Sequence, residues 1–381
     1  MLGVPFILVF TTVFVLQICV SDHIDDARVA FTVSNEKYND DWNRLFDSLA
    51  ARQNRMEKCE QFTKNVLANV SCDASPCVHV TMATRLVPSG KLLTLGDQHQ
   101  LEASRFNSSN RLIIILHGFF QNRRYWMETT KNALLSYEDC NVVIVDWSSL
   151  SMNVYYPLVT LYAFKVAEYV GQFIDFFVDE GTPLENIHLV GHSLGAHMAG
   201  VASQKSTKGI VGRITGLDAA RPLFVAFENE LRLEKSDAHF VDCIHTSGGY
   251  VGMPYPFCHA DFFVNGGRVQ PGCPEFISLG RCGHLRSTKY FIESISHSVR
   301  YDAYKCATTS HVDPITCWGE GSTMGYPANK SHQGIFYVKT GVRPPFHTAS
   351  SKRELELADV DTLNPLAGPI YKIFTTIFNT Y

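Results

Sequence analysis

A short apolar run, Ile187-His188-Leu189-Val190, leads into Gly191-His192-Ser193-Leu194-Gly195, and small residues follow at Ala196, Ala199, Gly200 and Ala202. No other stretch constrains the fold as strongly. It has the form of a nucleophile elbow: a strand turns sharply into a helix, and the serine at the apex sits in strained backbone with its hydroxyl exposed. Glycine brackets the serine because a Cβ at either position would strike the neighbouring strand or helix. The five-residue pattern alone is weak, since Gly-x-Ser-x-Gly arises by chance in roughly one chain in ten of this length. The competing reading is a Gly-rich turn with an idle serine. The strand-like run before it and the helix-compatible residues after it are the context a true elbow needs.

Other β-branched runs stand at 111–116 (Arg-Leu-Ile-Ile-Ile-Leu), 141–146 (Asn-Val-Val-Ile-Val-Asp), 213–218 and 240–245. Between them, residues 157–179 place Val166, Val170, Phe173 and Phe177 at helical spacing. Strands alternating with helices predict an α/β fold, a mostly parallel sheet covered on both faces. Such sheets gather ligands at the carboxyl ends of their strands. His117-Gly118, Ser193 and Asp218 all fall at those ends. No internal repeat or low-complexity segment interrupts the pattern.

The chain has 381 residues, 45% hydrophobic and 18% charged, with a net charge of −4. These are globular values, and they give no reason to expect a nucleic-acid partner. Leu2 to about Val20 is an apolar run ending at Ser21-Asp22, which reads as a secretory signal peptide over residues 1–21. No Lys or Arg precedes it, so an uncleaved anchor is the alternative. One of the 11 cysteines, Cys19, lies in this leader; the even number remaining suits disulfides in an oxidising compartment. No cysteine spacing makes a zinc site. Asn69, Asn107 and Asn329 begin glycosylation sequons, consistent with an extracellular address. Residues 22–80, with Cys59, Cys72 and Cys77, read as an N-terminal arm packed on a hydrolase body over 81–346.

A serine hydroxyl needs a base within hydrogen-bond reach, and the base needs an acid to fix its tautomer. In hydrolases of this architecture the order along the chain is Ser, acid, His. Asp218 ends an apolar strand after the elbow helix and is the best acid by position, with Asp242 and Asp261 as rivals. The base is one of His245, His259, His284 and His297; His284 stands in Cys282-Gly-His-Leu-Arg286. His192, beside the serine, is expected to point away from the hydroxyl. The developing oxyanion needs preorganised donors. The Leu194 N–H is one, and the loop His117-Gly118-Phe119 offers the Phe119 N–H as the other.

These residues, with Asp146-Trp147, Gly191–His197, Thr215–Asp218, Ser236–Asp242, Ile244–Thr246, Asp261–Gly267 and Cys282–Ser287, resemble the pancreatic lipase family. The matches run in order across about 80–340. The resemblance implies an α/β-hydrolase fold with Ser193 as nucleophile, Asp218 as acid and His284 as base. It also implies a lid loop closed by Cys273 and Cys282 just before the catalytic histidine, with Phe276, Ile277 and Leu279 as lid residues touching lipid. Asp218-Ala-Ala-Arg-Pro222 departs from the usual Asp-Pro-Ala and puts the geometry of that loop in doubt. The C-terminal lipid-binding β-sandwich of many relatives is not expected. The single-domain phospholipase A1 and insect lipase branch is therefore nearest, and the short lid and the shortened segment Ser247–Cys258 agree with it.

The function expected is hydrolysis of a phospholipid sn-1 ester at a lipid–water interface by a secreted monomer. Alternatives are a triacylglycerol lipase, a galactolipase, or a non-catalytic yolk-type lipid-binding protein. No cofactor is required; a structural calcium at Glu234 and Asp237 is possible by resemblance, although carboxylates three apart are more often simply solvated. Cys243–Cys258 and Cys306–Cys317 are plausible pairs, and Cys59, Cys72, Cys77 and Cys140 leave three pairings open. In the tail, 347–381, Leu366, Ile370, Ile373, Phe374, Ile377 and Phe378 fall at helical spacing, for docking on the body or for binding a lipid surface.

Overall fold

The β-branched runs become the middle of one sheet. In the computed structural model, the described residues are 77–347, except 125, 155, 226–228, 275–277 and 308–311. The expected signal peptide, nearly all of the arm and the tail helix lie outside them. The chain runs β1 (His79–Ala83), β2 (Lys91–Leu93), α1 (Gln98–Ala103), β3 (Leu112–Leu116), α2 (Trp126–Tyr137), β4 (Asn141–Asp146), α3 (Tyr156–Asp179), β5 (Ile187–His192) and α4 (Leu194–Lys205). It continues with β6 (Val211–Leu217), β7 (Ala238–His245), β8 (Ala260–Val264), α5 (Arg281–Ser294), β9 (Tyr301–Cys306), β10 (Cys317–Met324) and β11 (Gly334–Val338).

These strands form an 11-stranded sheet in the order β10-β9-β11-β8-β7-β6-β5-β3-β4-β1-β2. From β4 through β3, β5, β6, β7 and β8 to β11 every pairing is parallel. The edges, β1-β2 and β9-β10, are antiparallel. The expected α/β-hydrolase sheet is thus present. β1 begins at His79, so the sheet takes in the last residues of the segment expected to form the arm.

All five residues of β3 are buried, as a strand covered on both faces requires. On one face Ile113, Ile115, Val142 and Ile144 pack with Trp126 and Leu134 of α2 and Tyr290 and Phe291 of α5. On the other, α3 lies against α4. A Cβ at Gly171 would stand 3.0 Å from the Ala202 carbonyl oxygen, so this glycine lets the two helices approach closely. Val166, Val170, Phe173 and Phe177 are all buried, as their spacing predicted. Truncating one of those phenylalanines to alanine would cost about 3–5 kcal/mol. The small residues of α4 follow from burial on every side: Ala196, Ala199 and Ala202 are wholly inaccessible.

Disulfides join Cys243–Cys258, Cys273–Cys282 and Cys306–Cys317. Cys77 and Cys140 are free thiols, which excludes the pairing of these two; Cys59 and Cys72 lie outside the described residues. One compact unit spans Cys72–Pro222 and Asn229–Ser351.

Candidate active site

Ser193 stands between β5 and α4 with φ 59° and ψ −122°, a conformation that L-residues avoid. Two close approaches hold it there. A Cβ at Gly191 would overlap the Gly195 carbonyl, and one at Gly195 would overlap the Leu116 carbonyl at the end of β3. The Ser193 N–H donates to Leu217 O on β6 at 3.0 Å. The elbow is therefore steric in origin, and both glycines are required by backbone contacts.

Asp218 follows β6, also at positive φ (45°), and its own N–H donates to Ile244 O at 2.8 Å. Its carboxylate is buried and fully engaged. Oδ1 accepts from Thr246 N at 2.7 Å and Ser247 N at 3.0 Å, and Oδ2 accepts from the Ser247 hydroxyl. His284 Nδ1 donates to Oδ2 at 2.6 Å. Burial pushes the Asp218 carboxyl up, but the His284 contact, then Ser247 and Thr246, outweigh it and hold it below its ordinary value. It stays ionised, as an orienting acid must. Gly252 makes this packing possible: a Cβ there would stand 2.6 Å from Oδ1.

His284 lies in the first turn of α5, whose N-cap is Gly280 at φ 82°. Its ring is 4.5 Å, centroid to centroid, from that of His192, the residue before Ser193. Asp218, His284 and the elbow thus converge. His192 was expected to point away from the serine hydroxyl, and it has a structural task instead. Its Nε2 donates to the His284 carbonyl at 3.1 Å, and its Nδ1 accepts from Gln121 Nε2 at 2.9 Å. Burial, then the neighbouring His284, push its pKa down to about 3, so it remains neutral. Gln121 also accepts from Trp126 Nε1 and Gly118 N, both at 3.3 Å. This chain ties the loop after β3 to the histidine. Gln121, Ser247 and Gly252 carry no sequence signal, because their partners come from distant segments.

The rivals are occupied elsewhere. Asp242 takes both Arg213 nitrogens, at 2.8 and 3.0 Å, and the Thr215 hydroxyl. Asp261 pairs with His245 at 2.9 Å. His259 Nδ1 accepts from Val241 N, and His297 stacks on Tyr137.

The loop 117–119 lies over the elbow: a Cβ at Gly118 would be 2.8 Å from Ser193 Cβ and 3.1 Å from Leu194 N. Trp147 braces it, donating from N to His117 Nε2 at 3.2 Å and from Nε1 to His117 O at 3.0 Å. Gly118 N–H goes to Gln121 and Phe120 N–H to Ser151 O. The Phe119 ring packs edge-on against Tyr156, centroids 5.0 Å apart. Leu194 N–H is at the first position of α4, where no intrahelical acceptor exists. His197 links α4 to both flanking loops, donating to Ala220 O at 2.8 Å and accepting from Leu233 N at 3.1 Å.

Residues 52–346 match the family model described as Lipase. The chain belongs to the lipase family. Lipase member H of Danio rerio is 34% identical over 292 residues, covering 74% of this chain and 63% of that protein. Pancreatic triacylglycerol lipase of Myocastor coypus is 32% identical, covering 67% and 62%. Phospholipase A1 member A of Mus musculus is 34% identical, covering 66% and 55%. The chain therefore spans less than two thirds of the length of these lipase relatives.

The loop expected to be a lipase lid is closed by Cys273–Cys282, nine positions apart. Leu279 is exposed at φ 49°, while Phe276 and Ile277 lie outside the described residues. The two carboxylates weighed for calcium, an ion that takes about six to eight oxygens, are engaged by protein groups. Asp237 Oδ1 accepts from Gln204 at 2.9 Å and Oδ2 from Glu234 N at 2.8 Å, and its carbonyl accepts from Ser203. Glu234 is held 2.6 Å from the Arg232 guanidinium. Cys243, Cys258 and Asp261 bring potential ligand atoms together, but the sulfurs are in a disulfide and Asp261 already serves His245.

Proposed function

We propose that this lipase is an extracellular serine hydrolase that cleaves the sn-1 acyl ester of phospholipids. In this reading Ser193 Oγ attacks the ester carbonyl and His284 takes the hydroxyl proton. Asp218 holds the imidazole tautomer and stabilises the imidazolium. Phe119 and Leu194 N–H donate to the oxyanion. Collapse of the intermediate breaks the ester C–O bond, and His284 protonates the departing lysophospholipid oxygen. Water, deprotonated by His284, then attacks acyl-Ser193 and releases the fatty acid.

One observation carries phospholipid over triacylglycerol: the shortness of the loop closed by Cys273–Cys282. So short a loop offers little cover over the mouth, and a bulky charged headgroup meets less obstruction. The neighbouring loop after β7 is equally restrained, its backbone bonded inward from Gly248 to Gly267 O and from Met253 to Ala219 O. Leu279 on the first of these loops, and Phe120, Met152 and Val154 on the segments after β3 and β4, are exposed apolar side chains suited to a lipid surface. Three disulfides among the described residues and the exposed sequon residues Asn107 and Asn329 support an oxidising, extracellular setting. No helix among the described residues is long and apolar enough to cross a membrane.

The test is a substrate panel of phosphatidylcholine, triacylglycerol and galactolipid with positional analysis of the products. Release of the sn-1 fatty acid from phosphatidylcholine is expected. Hydrolysis of triacylglycerol emulsions with phosphatidylcholine left intact would sink the phospholipase reading. Fluorophosphonate labelling that is lost in Ser193→Ala separates an enzyme from a lipid-binding protein.

A further inference from the structure

Arg221 and Arg268 follow two strands of the parallel sheet, β6 and β8, at the carboxyl ends where such sheets take ligands. The loop after β7 lies between them and joins them. Arg221 Nη1 donates to Gly249 O at 3.4 Å, and its main-chain N–H is pinned to Val251 O at 2.7 Å. Arg268 Cζ lies 5.6 Å from the Tyr250 ring centroid and 3.9 Å from where a Gly249 Cβ would stand. Both guanidinium groups therefore reach Gly249, and that of Arg268 also lies against Tyr250.

That loop is also the one that builds the site. Ser247 and Gly252, at its two ends, seat the Asp218 carboxylate. Tyr250 packs against Gly280, the N-cap of the helix that carries His284. The loop that both arginines touch therefore also contacts the Asp218 carboxylate and the start of the helix that carries His284.

Arg268 acts electrostatically against the Arg221 charge across this loop, and an anion bound beside Arg221 would oppose that effect. Arg221 is half-buried, and among the described residues no carboxylate partners it. Burial pulls its guanidinium below the ordinary value; Arg268 adds to this, and Tyr255 opposes it. Arginine is the side chain that matches phosphate oxygens through paired N–H donors.

We infer that Arg221 and Arg268 form a seat for a phosphate, that of the phospholipid headgroup during sn-1 cleavage. This deepens the phospholipase reading and rests on it.

The experiment compares kcat/KM for phosphatidylcholine and for a neutral diacylglycerol in identical mixed micelles, using the parent, Arg221→Gln, Arg221→Lys and Arg268→Gln. The phosphatidylcholine-to-diacylglycerol ratio is expected to fall about tenfold in each glutamine variant, mainly through KM, and Arg221→Lys is expected to recover most of it. The ratio cancels changes in the amount of folded enzyme; if Arg221→Gln fails to fold, the exposed Arg268→Gln carries the test. Inorganic phosphate is added in a parallel arm. Competition with phosphatidylcholine in the parent and not in Arg221→Gln assigns the seat to phosphate of any source; no competition, with the ratio still lowered, assigns it to the lipid-borne group. An unchanged ratio in both glutamine variants overturns the seat and leaves the phospholipase reading intact. A parent enzyme that does not cleave phosphatidylcholine overturns both.

Discussion

Gly252→Ala offers a severe test of how the acid is held. The backbone at Gly252 lies outside the left-handed region, so alanine adopts it without strain. The added methyl instead meets the Asp218 carboxylate, at 2.6 Å from Oδ1 and 2.7 Å from Oδ2. Ordinary contact begins at 3.4 Å, so the carboxylate must retreat by about 0.8 Å or the loop must move. The His284–Asp218 hydrogen bond is 2.6 Å long, and a retreat of that size takes it to the limit of bonding. Misplacement of a catalytic group by about 1 Å costs on the order of 100-fold in rate. Hydrolysis of a water-soluble p-nitrophenyl ester is therefore expected to lose about 100-fold in kcat, with fluorophosphonate labelling of Ser193 slowed in parallel. Overpacking itself costs about 1–3 kcal/mol, so the melting temperature falls while the variant remains folded. A folded Gly252→Ala enzyme with kcat within threefold of the parent would refute the view that this glycine seats the acid.

Arg213→Met strands the buried Asp242 carboxylate, and urea denaturation is expected to show a loss of about 3–5 kcal/mol; a loss below about 1 would count against the pair. Asp218 is held below its ordinary value, so its stabilisation is present above about pH 4 and fades as pH falls through the lowered value. Ser247→Ala removes one hydrogen bond that lowers it, so the acid limb of melting temperature against pH should move upward; an unmoved limb contradicts this. Burial, with Glu138 and Asp139 adding, pushes the Cys140 thiol up to about 12. Peptide mapping after treatment with a disulfide reagent at pH 8 should find Cys140 unmodified in native protein and modified in urea, and rapid native modification would contradict its burial.

How legible each part was depends on where its cause lies. β3, β4, β5 and β6 are readable because a strand buried on both faces must be a continuous apolar run. β9 and β10 are not, since Tyr301–Cys306 carries Asp302 and Lys305 in a short polar run and Cys317–Met324 holds Glu320 and two glycines. The same holds for β1 and β11 at or near the sheet edges, where neighbours rather than composition decide. The pair Cys273–Cys282 is local and was foreseen from the family resemblance.

The site divides in the same way. The elbow at Ser193 is a local steric problem with essentially one solution, so Gly191 and Gly195 announce it in the chain itself. Position along the chain ranks Asp218 first among the carboxylates but does not separate it from Asp242 and Asp261, which also lie on or beside parallel strands. The fold separates them by partner: Arg213 claims Asp242, His245 claims Asp261, and Ser247, Thr246 and His284 converge on Asp218. The bracing of His284 through His192 and Gln121, and the meeting of Arg221 with Arg268, exist only after folding. Hydrogen bonds and charge contacts depend on distances of a few ångströms between segments far apart in the chain, and residue order along the chain does not encode those distances locally.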